Sequence, residues 1–289
     1  MKELTIQVND ANQRLDKFLF KTFPELKSGM LYKALRKKKI KINRKRANYD
    51  QMLQAGDQLQ LFLPDDILQE KQVYLQKNAQ LNVVYEDDNI VVIDKPAGLL
   101  SQSSKEQEDC VVERLKSYLY QKKEYDPKSE HHFTPSICNR LDRNTSGLII
   151  GAKNAYASRE INAAIQDHHI HKYYNAYVEG HVEKEGLIVL YLQKRETKAY
   201  ISPTFKEGYQ KAVMKIYPYK YENGNTWIKV ELITGRFHQI RASMAYLGHP
   251  LVGDQKYGSL SSEDMKLDAY KIKIDPIEME FETNEFTKK

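Results

Sequence analysis

Apolar positions near the start of the chain recur at helical spacing. Leu15, Phe18 and Leu19 share one side of a short helix over residues 14–20. A second helix is predicted to begin at Ser28, a favoured N-cap residue, and to turn Met30, Leu31, Ala34 and Leu35 inward. Residues 2–8 alternate as a short strand. Ile40 and Ile42 alternate with Lys39, Lys41 and Asn43 as another, and Gly56-Asp57 marks a turn before an apolar strand over 58–63.

From Leu81 the texture changes to strand runs such as Val83-Val84-Tyr85 and Ile90-Val91-Val92-Ile93, with helices between them. The spacing predicts a helix Ala155–Gln166 capped by Asn154, then a strand over 172–178. Residues 212–221 and 226–233 flank Asn223-Gly224, a pair that readily takes the positive φ angles of a tight hairpin turn. A last helix over 236–247 follows Thr234-Gly235 and stops at Gly248. The expectation is an α+β fold: a largely antiparallel mixed sheet with flanking helices, preceded by a small N-terminal α/β unit. The predicted boundaries are 1–64 for the small unit, 65–80 for a polar linker and 81–289 for the larger domain.

Composition narrows the class. The chain has 289 residues, 41% of them hydrophobic, which is enough for a folded core. Its two cysteines, Cys110 and Cys138, form no CxxC pair, which argues against a disulfide scaffold or a cysteine-based zinc site. The first ten residues contain no apolar run of signal-peptide type, and no uncharged apolar stretch approaches the length of a membrane span. A soluble, cytoplasmic monomer is expected. The formal charge of +6 favours an anionic partner. Its distribution says more: residues 27–46 hold ten basic side chains and no acidic one. Lys33, Arg36, Lys37, Lys38 and Lys39 at a helix–strand corner form a patch suited to a phosphate backbone.

Two later segments could carry chemistry. In Asn139-Arg140-Leu141-Asp142-Arg143-Asn144-Thr145-Ser146-Gly147 a carboxylate sits between two arginines, just ahead of turn residues. Neighbouring guanidiniums favour an ionised aspartate, which can act as nucleophile or base, and Arg140 and Arg143 could hold an RNA backbone. Alone, the segment reads equally well as a surface Asp–Arg pair before a turn. In the second segment, Thr234-Gly235-Arg236-Phe237-His238-Gln239-Ile240-Arg241, the spacing of His238 and Arg241 puts them together on one side of the predicted helix. An arginine on a rigid helix can pair with a carboxylate from elsewhere.

Taken together, residues 81–260 closely resemble the RluA family of RNA pseudouridine synthases. The resemblance rests on Tyr85-Glu86-Asp87, Asp94-Lys95-Pro96-Ala97-Gly98, Arg140-Leu141-Asp142 with Thr145-Ser146-Gly147, Lys172-Tyr173-Tyr174, and Thr234-Gly235-Arg236 with His238-Gln239-Ile240-Arg241 and Gly248-His249-Pro250. It implies that uridine in RNA, ribosomal or transfer, is isomerised to pseudouridine without metal or organic cofactor. Asp142 would be the catalytic aspartate, Tyr174 would lie against the uracil ring, and Arg241 would pair with Asp142. Arg140 would support a flipped-out nucleotide, with Arg143, Arg236 and His238 as further candidate RNA contacts. Asn139 stands where the family usually has histidine, and Ser243 where it often has another. The tail from about Ser261 departs from the family pattern and is assigned no role.

Residues 1–64 resemble the small RNA-binding domain of ribosomal small-subunit protein S-four, through Gln13-Arg14-Leu15-Asp16-Lys17-Phe18-Leu19, the basic helix, Lys41-Ile42-Asn43 and Ala55-Gly56-Asp57. That domain usually has glycine where Lys39 and Arg44 stand. Two other readings compete with the enzyme: a catalytically silent RNA chaperone, and a metal-dependent nuclease built on Asp167-His168-His169-Ile170-His171 with Asp254. A helix end with histidines favourable to its dipole accounts better for that run. His131-His132 reads as loop.

Overall fold

The computed structural model describes residues 1–69, 75, 78–103, 105, 108–127, 133–275 and 279–283. Residues 70–74, 76 and 77 of the expected linker therefore lie outside the described residues, as does the His131-His132 pair.

The N-terminal residues form a four-stranded antiparallel sheet in the order Lys2–Thr5, Gln58–Leu61, Ile40–Ile42, Lys45–Arg46. Helices Leu15–Thr22 and Ser28–Arg36 pack on it through Leu15, Phe18, Leu19, Leu31, Ala34 and Leu35. Met30, expected inside, is exposed. One narrow stripe suffices for a nine-residue helix on a thin sheet, and Met30 falls beside it. Lys27, not Ser28, holds the N-cap position, and no side chain caps the helix. Asn43 and Arg44 both take left-handed φ, 51° and 65°, so a two-residue turn forms with arginine where glycine is usual. The other left-handed residue of this stretch is Lys38, not Lys39. The core of this unit reaches Leu68.

The remaining strands build an eleven-stranded sheet. Along its path run Lys198–Ser202, Gly186–Arg195, Gln210–Glu222, Asn225–Leu232, Ile170–Glu179, Leu267–Ile274, Ser146–Ala152, Ile90–Lys95 and Asn82–Glu86. Every pairing is antiparallel except that of Leu267–Ile274 with Ser146–Ala152. The Asn223-Gly224 hairpin forms as expected, with φ of 52° and 78°. Short strands Ser136–Ile137 and Met279–Glu282 lie off the path. The unassigned tail thus supplies a central strand.

Position in the sheet explains the apolar runs. Val91, Ile93 and Ile149 face one core with Tyr174, Ile228, Val230 and Met244; Ile90, Val92, Leu148 and Ile150 face another with Ile170 and Ile272. A strand buried on both faces has no reason to alternate. Helices Val111–Gln121 and Ala155–Gln166 flank this half, the latter capped by Asn154, whose side chain accepts from Ala157 N at 2.8 Å. Helix Gln239–Tyr246 lies against strand Lys198–Ser202. It begins three residues later than expected, because His238 takes a left-handed conformation (φ 52°, ψ 29°). Buried Gln239 fixes that entry: its Oε1 accepts from Thr234 Oγ1 and Arg236 N, at 2.8 and 3.0 Å, and its Nε2 donates to Val213 O. Gly248 ends the helix at φ 87°.

Candidate active site

The loop leading into strand Ser146–Ala152 is pinned on both sides. Asn139 acts as an extra rung on that strand, its Oδ1 accepting from Ile150 N at 2.8 Å and its Nδ2 donating to Leu148 O at 3.2 Å. Leu141 exchanges two hydrogen bonds with buried Ser101: its N donates to Oγ at 3.0 Å, and Oγ donates to its O at 2.6 Å. Between these anchors and the turn closed by Thr145 N on Asp142 O, the Asp142 carboxylate reaches a cleft of about 850 Å3.

The guanidinium that meets this carboxylate is neither Arg140 nor Arg143. Arg140 is exposed, and Arg143 donates through Nε to Gly98 O at 3.0 Å. Arg241 arrives from a distant helix, its Nη1 donating to Asp142 Oδ2 at 3.0 Å. Its other edge is bidentate on Asp254, Nε to Oδ2 at 2.7 Å and Nη2 to Oδ1 at 2.9 Å. Burial pulls the Arg241 pKa down, but the bonds and charge of Asp254, then of Asp142, outweigh it and raise it. Arg241 is a fixed cation. Asp254, considered from sequence only as a metal ligand, is its buried anchor.

His238 does not join Arg241 through helical spacing, since it precedes the helix. Its Nδ1 lies 2.8 Å from Tyr257 Oη, its ring stacks on Phe237, and its Nε2 is 3.6 Å from Asp142. Burial lowers its pKa, the Asp142 charge opposes that, and Arg241 and Lys256 add to the lowering. The imidazole is neutral. Tyr174 lies in the cleft wall on strand Ile170–Glu179, buried, with its phenol pKa raised by burial and then by the charges of Asp142 and Asp268.

Lys95 was only a family mark in the sequence, yet it is fully buried. Its ammonium donates to three carbonyls, those of Pro96, Leu99 and Arg143, at 2.9, 2.8 and 3.1 Å. Burial lowers its pKa to about 8 against the raising charges of Asp142 and Asp94. With the Gly98 N to Arg143 O bond at 2.8 Å, it cross-braces the loop that follows it to the loop bearing Asp142. Among the described residues lining the cleft, Asp142 is the one carboxylate; Arg140, Arg143, Lys172, Lys194, Arg236, Arg241 and Lys256 supply positive charge. Arg236 also donates through Nε to Lys211 O at 3.1 Å. Lys33, Arg36, Lys37, Lys38 and Lys39 are all exposed on the small sheet's unit.

The family model described as RNA pseudouridylate synthase matches residues 89–246, more than half of the chain. The chain belongs to the RNA pseudouridine synthase family. It is 35% identical over 284 residues to an RNA pseudouridine synthase of Mycoplasma capricolum, spanning 95% of this chain and 92% of that protein. It is 28% identical to the ribosomal large subunit pseudouridine synthase C of Vibrio cholerae, over 92% of this chain and 82% of the relative. The fold is similar to that of human RNA pseudouridylate synthase domain containing 4, with a TM-score of 0.58 at 17% identity, covering 70% of this chain and 88% of that one.

As a pseudouridine synthase the protein is an RNA isomerase. Asp142, Tyr174 and Arg241 fall inside the matched region; Asp254 and strand Leu267–Ile274 lie beyond it. The histidine run is not drawn together: His171 Nε2 pairs with Asp275 Oδ2 at 2.9 Å, and no three metal-ligand side chains converge among the described residues.

Proposed function

We propose that this pseudouridine synthase isomerises specific uridines of ribosomal RNA, with Asp142 as the reacting carboxylate. The glycosidic bond moves from N1 to C5 of the same uracil; C5 gives up its proton and N1 takes one up, so the product is an isomer of the substrate. A uridine within folded RNA is first extruded, at a cost of about a few kcal/mol, into the cleft. Tyr174 lies against the uracil ring, Arg241 holds Asp142 in place through its 3.0 Å bond, and Arg140 supports the displaced nucleotide. Arg143, Arg236 and His238 contact the RNA around it. The unit of residues 1–64, joined through 65–80 to the catalytic domain 81–289, adds affinity through Lys33, Arg36, Lys37, Lys38 and Lys39.

The observation that carries this reading is the ion pair of Asp142 and Arg241 at 3.0 Å, inside an otherwise cationic cleft that Tyr174 also lines. The ribosomal preference draws on relatives named ribosomal large subunit pseudouridine synthase C in Vibrio cholerae and Escherichia coli, 28% and 30% identical. The test is to map pseudouridines in total RNA from cells with and without the protein, then with Asp142→Ala. Sites should vanish from ribosomal RNA in both deficient cells. Sites lost only from transfer RNA would overturn the ribosomal assignment, and activity retained by Asp142→Ala would overturn the carboxylate's role.

A further inference from the structure

The small sheet's unit carries a second cleft, of about 440 Å3, between helix Ser28–Arg36 and the chain that leaves strand Lys45–Arg46. Sites for small ligands fall in the range of roughly 300–1,000 Å3. Tyr32 and Tyr49 line it and meet edge to face, with centroids 5.6 Å apart and planes at 73°. Both side chains stay 42–43% exposed, though aromatic rings gain much from burial. Arg14 lies over the Tyr49 ring at 5.4 Å and is itself held by both oxygens of Asp16. One side of Tyr49 is therefore taken, which makes Tyr32 the more open platform.

Arg36 and Arg46 line the same cleft, and neither has a carboxylate partner among the described residues. Lysines on a surface follow any phosphate backbone, paired or unpaired. An open ring between free guanidiniums is more selective. It matches a ligand that is flat and anionic together, an unstacked nucleobase with its phosphates. The absence of acidic residues over 27–46 lessens the repulsion such a ligand meets there; Asp50 follows Tyr49, and Asp16 is held by Arg14.

We propose that this cleft binds one unpaired nucleotide of single-stranded RNA, its base against Tyr32 and its flanking phosphates on Arg36 and Arg46. The proposal rests on the RNA substrate argued above and adds that the N-terminal unit distinguishes unpaired from paired strands.

The test uses the full chain and two RNAs: a hairpin with an unpaired 3′ oligouridine extension, and the same molecule with that extension annealed to a complement. Tyr32→Leu is expected to weaken binding to the first about tenfold, within the range of stacking losses, and to the second less than twofold. Heparin, a polyanion without bases, should bind wild type and Tyr32→Leu alike. A 5-iodouridine in the unpaired extension should crosslink to Tyr32 or Tyr49 on irradiation. No loss of affinity, an equal loss on both RNAs or on heparin, or crosslinks confined to the large sheet's cleft would overturn the proposal. Pseudouridine formation by wild type, followed separately in ribosomal RNA, tests the enzymatic reading independently of the stacking result.

Discussion

Asp254 occupies both Nε and Nη2 of Arg241, at 2.7 and 2.9 Å, and so leaves Nη1 as the edge that faces Asp142. The orientation of the guanidinium that meets Asp142 is thus set by a second, buried carboxylate. Asp254→Asn keeps the shape and removes the charge. Breaking a buried pair typically costs about 3–5 kcal/mol, so the variant should unfold at clearly lower urea. Single-turnover rates should fall about 10- to 100-fold while RNA affinity stays within a few-fold. A wild-type single-turnover rate would show that Arg241 needs no anchor.

Lys95 satisfies three carbonyls at once, and Lys95→Met leaves them facing apolar surroundings. Each unmet buried carbonyl costs about 1–3 kcal/mol. Destabilisation by several kcal/mol is expected in denaturant titrations, together with loss of isomerase activity as the two loops come apart.

His238 gives the stability curve a directional pH dependence. Burial lowers its pKa from 6.5 to about 4, so between these values the unfolded chain binds a proton that the folded chain refuses. Stability from this group is complete above pH 6.5 and is lost as pH falls toward 4. In a series of urea titrations across that window, His238→Gln should show a shallower loss than wild type. Identical slopes would mean that the folded protein protonates His238 freely.

The turn at Asn43-Arg44 holds an arginine at φ 65°. A left-handed conformation costs a non-glycine residue about 1–2 kcal/mol. Arg44→Gly should therefore raise the stability of the N-terminal unit by roughly 0.5–1 kcal/mol, since glycine's greater unfolded-state freedom cancels part of the gain. Hydrogen exchange on the flanking strands reads this directly.

Replacing Lys37, Lys38 and Lys39 with glutamine should weaken RNA binding and flatten its salt dependence, by a slope of about 0.9 for each duplex phosphate no longer neutralised. An unchanged slope would turn that corner of the molecule away from the RNA.

Much of the site was legible because its chemistry is local in sequence. Asp142 ahead of a turn, Tyr174 in a strand and Arg241 in a helix each stand in a recognisable segment. What was illegible depends on long-range packing. The adjacent arginines looked like neighbours that would hold Asp142, and only the family resemblance pointed to Arg241, 99 residues away, as its partner. Lys95 was only one residue of a family motif until the fold wrapped three carbonyls around it. Helical spacing placed His238 beside Arg241, but its left-handed backbone makes the helix begin only after it. Asn139, a departure from the family pattern, proved to pair with main-chain groups of the next strand. Met30 shows the opposite limit, an apolar residue that a small unit has no room to bury.

Strand Leu267–Ile274 lies between Ile170–Glu179 and Ser146–Ala152 and is the seam of the large sheet. Asp142 precedes the strand on one side of that seam, while Tyr174 and Arg241 belong to the other. The seam is so close that a Cβ on Gly147 would fall 2.5 Å from Ala269 O. A chain emerging from the ribosome thus carries Asp142 and Arg241 on separate halves of the sheet until residues 267–274 are made. If the proposed site is right, losing that strand would disarm the enzyme while leaving Asp142, Tyr174 and Arg241 all in the chain.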